Sequence, residues 1–260
     1  MTAAESGARV ILADEDFIMG GRLNSETNEI DGMAGSEWAK QAVAKLATMD
    51  NVTLMADTTI FGAYDHGIYG ALENRASEAR ADSKKPRQVN WRIYTKRTIL
   101  CAGATERAIA FGNNDRPGIM MAGAVRTYLN RFAVATGQRV SVYTNNDSGW
   151  QTAKDLTEKG VKVVAVIDSR SIDPVMSIEG AEIFMDTDVT DTKGRRAIKS
   201  ITLSNGKTIN TDTLAVSGGW NPNLHLTCHH RGIPKWNEKL ATFLPDSSVP
   251  VGMSVAGRAK

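Results

Sequence analysis

The chain has 260 residues, 42% of them hydrophobic, which is enough for about two packed domains. Thirty-one Lys and Arg against 29 Asp and Glu leave a net charge of +2, too small to argue for nucleic acid or a membrane surface as partner. Two cysteines, Cys101 and Cys228, stand far apart and in no CxxC, which excludes a disulfide framework, a zinc finger of the usual spacing and a local redox pair.

The first residues, Met1-Thr2-Ala3-Ala4-Glu5, lack the basic and apolar regions of a signal peptide. No stretch approaches the ~20 apolar residues of a membrane span, so the reading is a soluble, cytoplasmic protein. Residues 2–7 read as the last turns of a helix closed by Gly7. The short apolar run 8–13 has strand length and ends in Asp14-Glu15-Asp16, followed by Gly20-Gly21 in a loop. Residues 36–50 carry Trp38, Val43 and Leu46 on one helical face, with Ser36 as N-cap. Val52–Met55 reads as a strand. Phe61–Tyr64, Gly70–Glu73 and Gln88–Tyr94 read as a meander, with the polar stretch Arg75–Arg87 as a hairpin loop. The run 97–103 is a buried strand entering a glycine turn, and 112–118 is a linker rich in breakers.

After a helix over Ala122–Ala135 the pattern starts again. Arg139–Tyr143 is a strand, Asn145–Gly149 a turn, and residues 150–159 a helix closed by Gly160. Val161–Ile167 is a strand ending in Asp168. Ile183–Asp186, Ile198–Leu203 and Thr208–Asn210 read as a second meander, and Thr213–Gly219 closes the copy. Two segments thus share one order of parts: helix, glycine, apolar strand, acid, meander, apolar strand, glycine turn. Strands alternating with helices argue for parallel sheets with right-handed crossovers. The fold class that follows is α/β, with two Rossmann-like folds, the second inserted into the first, each carrying a β-meander. The domains are expected at 1–115 and 116–222, with 223–260 returning to the first.

An acid at the end of the second strand of such a fold lies where a ribose hydroxyl can be hydrogen-bonded. Asp14 and Glu15 are both candidates. Counting back from Gly20-Gly21 favours Asp14; an ungapped match of the two copies, anchored on Gly7 and Gly160, pairs Glu15 with Asp168. Gly20 and Gly21 let backbone approach a dinucleotide, and Arg22 could pair with phosphate. The second copy has Asn145-Asn146-Asp147-Ser148-Gly149 where GxGxxG would stand, with an acid that repels pyrophosphate and side chains that crowd the turn. Its nucleotide site is expected to be lost. The first copy has no counterpart of 139–149, so the chain reads as lacking the first strand and phosphate loop, and as cut just beyond Gly257. Cys228-His229-His230 with His225 has no ligand spacing and reads as a surface loop, and His66 as a turn residue.

The order of parts resembles that of the glutathione-reductase-like two-dinucleotide-fold superfamily. Three stretches are more specific. Glu106-Arg107 with Phe111–Met120, Tyr143-Thr144-Asn145-Asn146-Asp147, and Ser217-Gly218-Gly219-Trp220-Asn221-Pro222 with His225-Leu226 and Trp236 resemble stretches of the alpha subunits of heterotetrameric sarcosine oxidases. Opine oxidase and hydrogen cyanide synthase subunits share parts of them. The resemblance implies a flavin-dependent enzyme that demethylates sarcosine to glycine, forms H2O2 and passes the one-carbon unit to tetrahydrofolate. It implies NAD in the first fold, with FAD as the superfamily alternative, and FMN at the interface with a beta-type flavin oxidase subunit. Smaller gamma- and delta-type subunits complete such a complex. It also places Ala102 and Gly103 at the second point where backbone nears the cofactor, Thr58-Thr59 at the end of the strand under the adenine, and Gly257 after the returning strand. The superfamily has Thr-Gly-Ala where this chain has Ala102-Gly103-Ala104, so one hydroxyl is absent. Alternatives to a sarcosine oxidase are a related opine- or glycine-oxidising subunit, or an assembly subunit whose nucleotide site is vestigial.

Overall fold

Parallel strands are covered on both faces and so need apolar residues at nearly every position, whereas antiparallel strands tolerate alternation. Both kinds occur here. The computed structural model describes residues 1–246 and 248–259. The chain divides into two units, the first of residues 1–23, 28–105 and 221 onward, the second of residues 24–27 and 106–220. Residues 106–115 and 24–27 are therefore part of unit 2.

In unit 1, β1 (Val10–Ala13) leads through helix α1 (Gly35–Ala47) to β2 (Val52–Met55), which pairs with it in parallel. Helix α1 buries Ala39 and Leu46. It starts at Gly35 with Ala34 at its cap and no side-chain cap bond, so Ser36 is not the cap. Gly35 is needed because a Cβ there would meet the Asn28 carbonyl oxygen at 2.9 Å. Then β3 (Thr58–Tyr64), β4 (Ile68–Asn74) and β5 (Gln88–Tyr94) form an antiparallel meander. The polar stretch after β4 is not all loop, because Ala76–Ala81 is helical. Strand β6 (Thr98–Leu100) pairs in parallel with the returning strand Met253–Val255. The inner face of the meander (Ala63, Tyr69, Ala71, Ile93) shares one cluster with Met55, Leu100 and Met253, so both parallel pairs pack on it.

In unit 2, β7 (Ile119–Met121) runs into α2 (Ala122–Phe132), followed by β8 (Val140–Thr144), α3 (Asp147–Glu158), β9 (Val163–Asp168) and β10 (Glu182–Phe184). A second meander, β11 (Val189–Lys193), β12 (Ser200–Leu203) and β13 (Thr208–Asn210), leads to β14 (Thr213–Ser217). The sheet order is β7-β14-β8-β9-β10, all parallel. Ile183–Asp186 is thus corrected from a meander strand to the sheet's short edge, and the meander begins at Val189 instead. The polar alternation of Val-Thr-Asp-Thr-Lys hid that strand, whereas its buried positions, Val189 and Thr192, mark it clearly in three dimensions. Every residue of β8 and β14 is buried, as central parallel strands require. Helix α2 buries Ala122, Val125, Arg126 and Leu129, an i, i+3, i+4, i+7 stripe. Helix α3 buries Trp150, Ala153 and Leu156 completely, and each large side chain so buried contributes about 2 kcal/mol. Among the described residues no helix is long and apolar enough to cross a membrane.

Candidate functional site

Ligands of open α/β sheets lie outside the carboxyl ends of the strands, so the residues just past β1, β6 and β9 decide what each unit can hold. The two units can be compared bond for bond. Gly7 and Gly160 both close a helix at positive φ, 83° and 77°. Gly7 N–H donates to Ala4 O and Ala8 N–H to Ala3 O; Gly160 N–H donates to Thr157 O and Val161 N–H to Leu156 O. Past the strands, Thr58 N–H donates to Asp14 O at 2.9 Å and Asp57 N–H to Asp16 O at 3.0 Å. In unit 2, Thr187 N–H donates to Asp168 O at 3.2 Å and Asp186 N–H to Arg170 O at 3.1 Å. Asp57 and Asp186 share a left-handed φ of 49°. The side chains agree: Asp14 Oδ1 accepts Asp16 N–H at 3.0 Å, and Asp168 Oδ1 accepts Arg170 N–H at 2.9 Å.

By this pattern Asp14, not Glu15, is the counterpart of Asp168. The ungapped match misleads by one residue because β9 carries a bulge. Val140 pairs with Val163 but Ser141 pairs with Ala165, so Val164 is the extra residue that a bulge inserts.

Asp14 is half-buried at the carboxyl end of the β1–β2 pair, whereas Glu15 points into solvent. Among the described residues Asp14 makes one side-chain hydrogen bond, from Asp16 N–H. Gly20 and Gly21 follow at φ 134° and 55°, and Arg22 is half-buried in the 3-10 turn Gly21–Asn24. Ala102 and Gly103 follow β6, and Gly257 follows its partner strand Met253–Val255, so all three lie at the carboxyl end of that pair. Asn223 fastens this end, its N–H donating to Gly103 O at 3.0 Å and its Nδ2 to Ala102 O at 2.8 Å. A Cβ added at Gly21, Gly103 or Gly257 would meet nothing within 4 Å. Thr58 is buried with its hydroxyl on Ala56 O, which leaves Thr59 as the exposed threonine of the two. One carboxylate with acceptor capacity left over and three glycine turns past strand ends of the same unit are groups of the kind that take the ribose and phosphates of a dinucleotide.

In unit 2 the equivalent acid is spent. Asp168 is fully buried. Its Oδ1 accepts Arg170 N–H at 2.9 Å and Nε at 3.1 Å; its Oδ2 accepts Trp150 Nε1 at 2.7 Å and Arg170 Nη2 at 2.8 Å. Burial pushes its carboxyl up, but Arg170 and the Trp150 N–H outweigh burial and hold it below the ordinary value. The Arg170 guanidinium is raised in turn, mainly by its bond to Asp168.

Sequence reasoning missed Asn223, Arg170 and Trp150 as partners at these strand ends. Arg170, two residues past a strand-end acid, was the available signal. The cysteine–histidine stretch is a helical turn (His225–Cys228) rather than a plain loop, and His229 Nδ1 accepts Ala63 N–H at 3.1 Å. Among the described residues no group of three metal-ligating side chains forms.

The chain is 43% identical to sarcosine oxidase subunit alpha of Rhizobium meliloti (strain 1021) over 263 residues, which is 100% of this chain and 26% of that protein. It is 36% identical to the same subunit of Corynebacterium sp. (strain P-1), over 95% of this chain and 27% of that one. The chain thus spans about a quarter of the length of the curated relatives it matches, and the resemblance read from its motifs holds along its whole length. No family model matches. Among solved structures, L-proline dehydrogenase from P. horikoshii superposes with a TM-score of 0.74 at 20% identity, over 96% of this chain and 46% of that one. Thioredoxin reductase of T. acidophilum gives 0.68 at 19% identity, over 99% and 84%. A NAD-dependent persulfide reductase from A. fulgidus gives 0.65 at 13% identity, over 97% and 49%. The fold is therefore that of the FAD/NAD(P)-dependent oxidoreductases, with Rossmann-like parallel sheets and inserted meanders.

Proposed function

We propose that this chain is the dinucleotide-holding region of the alpha subunit of a flavin-dependent sarcosine oxidase, with NAD seated on unit 1. The observation that carries this reading is the contrast between two equivalent acids. Asp168 is consumed by Arg170 and Trp150, whereas Asp14 keeps acceptor capacity in a unit whose strand-end glycines Gly21, Gly103 and Gly257 have room for an added Cβ among the described residues. NAD rather than FAD there is what the resemblance to sarcosine oxidase alpha subunits implies, and that resemblance runs along the whole chain. In this reading Asp14 accepts the hydroxyls of the adenine ribose, and the turns at Gly20-Gly21, Ala102-Gly103 and Gly257 admit the phosphates, with Arg22 and Thr59 alongside. A carboxylate accepting two ribose hydroxyls selects a 2′-hydroxyl over a 2′-phosphate, which its charge repels. NAD bound at such a site supplies hydride chemistry or holds structure; this chain's own residues bind and orient it. The demethylation of sarcosine, the FMN, the transfer to tetrahydrofolate, and the beta-, gamma- and delta-type partners belong to the complex in which the alpha subunit works.

The test is to express the chain extended upstream together with a beta-type flavin oxidase, and to identify the nucleotides released on denaturation by mass. NAD with FMN is the expected result. FAD alone would overturn the NAD assignment, and no nucleotide at all would leave an assembly subunit as the better account.

A further inference from the structure

The carboxyl edge of the unit 2 sheet reverses strand order between β8 and β14, the place where an open α/β sheet binds its ligand. The G-x-G-x-x-G template falls on Thr144-Asn145-Asn146-Asp147-Ser148-Gly149. Its three glycines have different tasks: the tight turn, close approach to pyrophosphate, and helix–strand packing. The third survives here, and its missing side chain is explained by packing, since a Cβ on Gly149 would run into the Thr144 side chain. The first two are Thr144 and Asn146.

What replaces them crosses the crevice. Asn146 Oδ1 accepts Ser148 N–H at 3.0 Å and so caps α3 itself. Its Nδ2 donates to Ser217 O at 2.9 Å, tying the end of β8 to the end of β14. Ser217 Oγ donates to Glu106 Oε1 at 2.6 Å, and Glu106 Oε2 accepts Gly123 N–H at 2.6 Å in the first turn of α2. Each of the two helices that begin at this edge thus has one of its open N–H groups taken by the chain's own side chains, where an anion would otherwise dock. Over the glycine turn that follows β14, a Cβ at Gly219 would lie 2.5 Å from Arg107 Nη2, and one at Gly218 would lie 2.9 Å from the Arg107 and Ala108 carbonyl oxygens. Residues 107 and 108 therefore fill the space that such glycines leave for a ligand. Asp147 stands in the first turn of α3 and pairs with Arg170 Nη1 at 2.9 Å, and Arg170 in turn covers Asp168.

We propose that the switch-point crevice of unit 2 is closed by Asn146, Ser217, Glu106, Arg107 and Arg170, so that this second dinucleotide-like fold takes no dinucleotide and its former ligand contacts now hold the fold together. Each device a nucleotide needs is present in type and engaged in fact: one N–H at each helix N-terminus, the glycine turn and the strand-end acid. All four acceptor sites of the Asp168 carboxylate already have donors, so a ribose hydroxyl finds none. The inference stands independently of what unit 1 binds.

The test is hydrogen–deuterium exchange of the full chain with and without millimolar NADH, NADPH or FAD. Exchange in peptides covering 144–149, 168–170 and 217–219 is expected to be unchanged by all three. Protection of the 144–149 or 217–219 peptide by any of them would overturn the proposal. Slow exchange of β8 and β14 is expected in the same data; fast exchange there would contradict the closed network and sink the proposal as well. Protection around Asp14 and Gly103 reports separately on the NAD assignment, so the two readings can fail independently.

Discussion

Asp155 lies on α3 with a fully buried side chain, facing an Arg126 on α2 that is 4% exposed. Its Oδ2 accepts Arg126 Nε and Asn130 Nδ2, both at 2.9 Å; its Oδ1 accepts Gln151 Nε2 at 2.8 Å and Thr27 Oγ1 at 3.1 Å. Replacing Asp155 by Ala leaves the guanidinium in the core without a counter-charge, and Arg126 Nη2 already lacks a hydrogen-bond partner among the described residues. Breaking a buried pair on one side costs about 3–5 kcal/mol. At roughly 3 °C per kcal/mol for a chain of this size, Tm should fall by roughly 10 °C. Urea unfolding gives the first number and a thermal melt the second, both followed by far-UV circular dichroism. The double variant Arg126→Met with Asp155→Leu removes both charges, and so sheds the desolvation cost along with the attraction. It should recover more than half of the loss, while Thr27 and Gln151 turn to water. If Asp155→Ala costs less than about 1 kcal/mol, within the range of an exposed pair, or if the double variant is no better than the single one, the reasoning from burial is wrong.

Four further outcomes follow from the same contacts. In the nucleotide-loaded complex Asp14→Asn should weaken NAD binding about 10–100-fold, the worth of a hydrogen bond to a charged group. Glu15→Gln should change it less than about twofold, since an exposed charge contributes little; equal losses by isothermal titration would undo the register argued from the bulge. Asp168 is held below its ordinary pKa of 3.8, so its charged form stabilises unit 2 above that pH and the contribution is lost as pH falls through the lowered value. Arg170→Ala should therefore raise the acid-unfolding midpoint, seen as tryptophan fluorescence against pH; an unmoved midpoint would show that Arg170 does not hold the carboxylate. Gly149→Ala presses a methyl into Thr144 and should cost about 1–3 kcal/mol in urea unfolding. Ala133 ends α2 exposed and at φ 53°, with Val134 N–H reaching back to Tyr128 O; Ala133→Gly should stabilise the chain by up to about 1 kcal/mol, read as a higher urea midpoint.

The sequence showed the fold well where burial forces composition. Val140–Thr144 and Thr213–Ser217 carry no charge and only small polar residues beside their apolar ones because both faces of a central parallel strand are covered, and Gly7 and Gly160 end helices because the left-handed turn there disfavours a side chain. It misread places where short polar strands hide, as at Val189–Lys193, and where a helix needs no side-chain cap, as at Gly35. The crowding of Asn145–Gly149 was legible because Asn and Asp differ in bulk and charge from glycine. That Asn146 reaches Ser217 was not, because these residues are distant in sequence and come together only when β8 and β14 pair; nor was the contact of Glu106 with Gly123, 17 residues on.

The choice between Asp14 and Glu15 shows what the structure adds. The two copies agree in their helix ends, their strand-end acids and the left-handed aspartates that follow β2 and precede the second meander, yet between the helix-closing glycine and the acid they differ in length by the single bulged residue Val164. A bulge changes the residue count of one strand without changing where its end lies in the sheet. Counting along the chain therefore misaligns the two copies, while counting hydrogen bonds does not. Once the copies are aligned in this way, the two acids share one backbone geometry and differ in what surrounds them. Two residues past the acid stands Asp16 in one copy and Arg170 in the other. Asp16 supplies Asp14 with a backbone N–H and no counter-charge in its side chain, whereas Arg170 covers Asp168 with backbone and guanidinium together. That difference in charge, together with the Trp150 N–H on Asp168, leaves one strand-end carboxylate with acceptor capacity and turns the other into a structural ion pair.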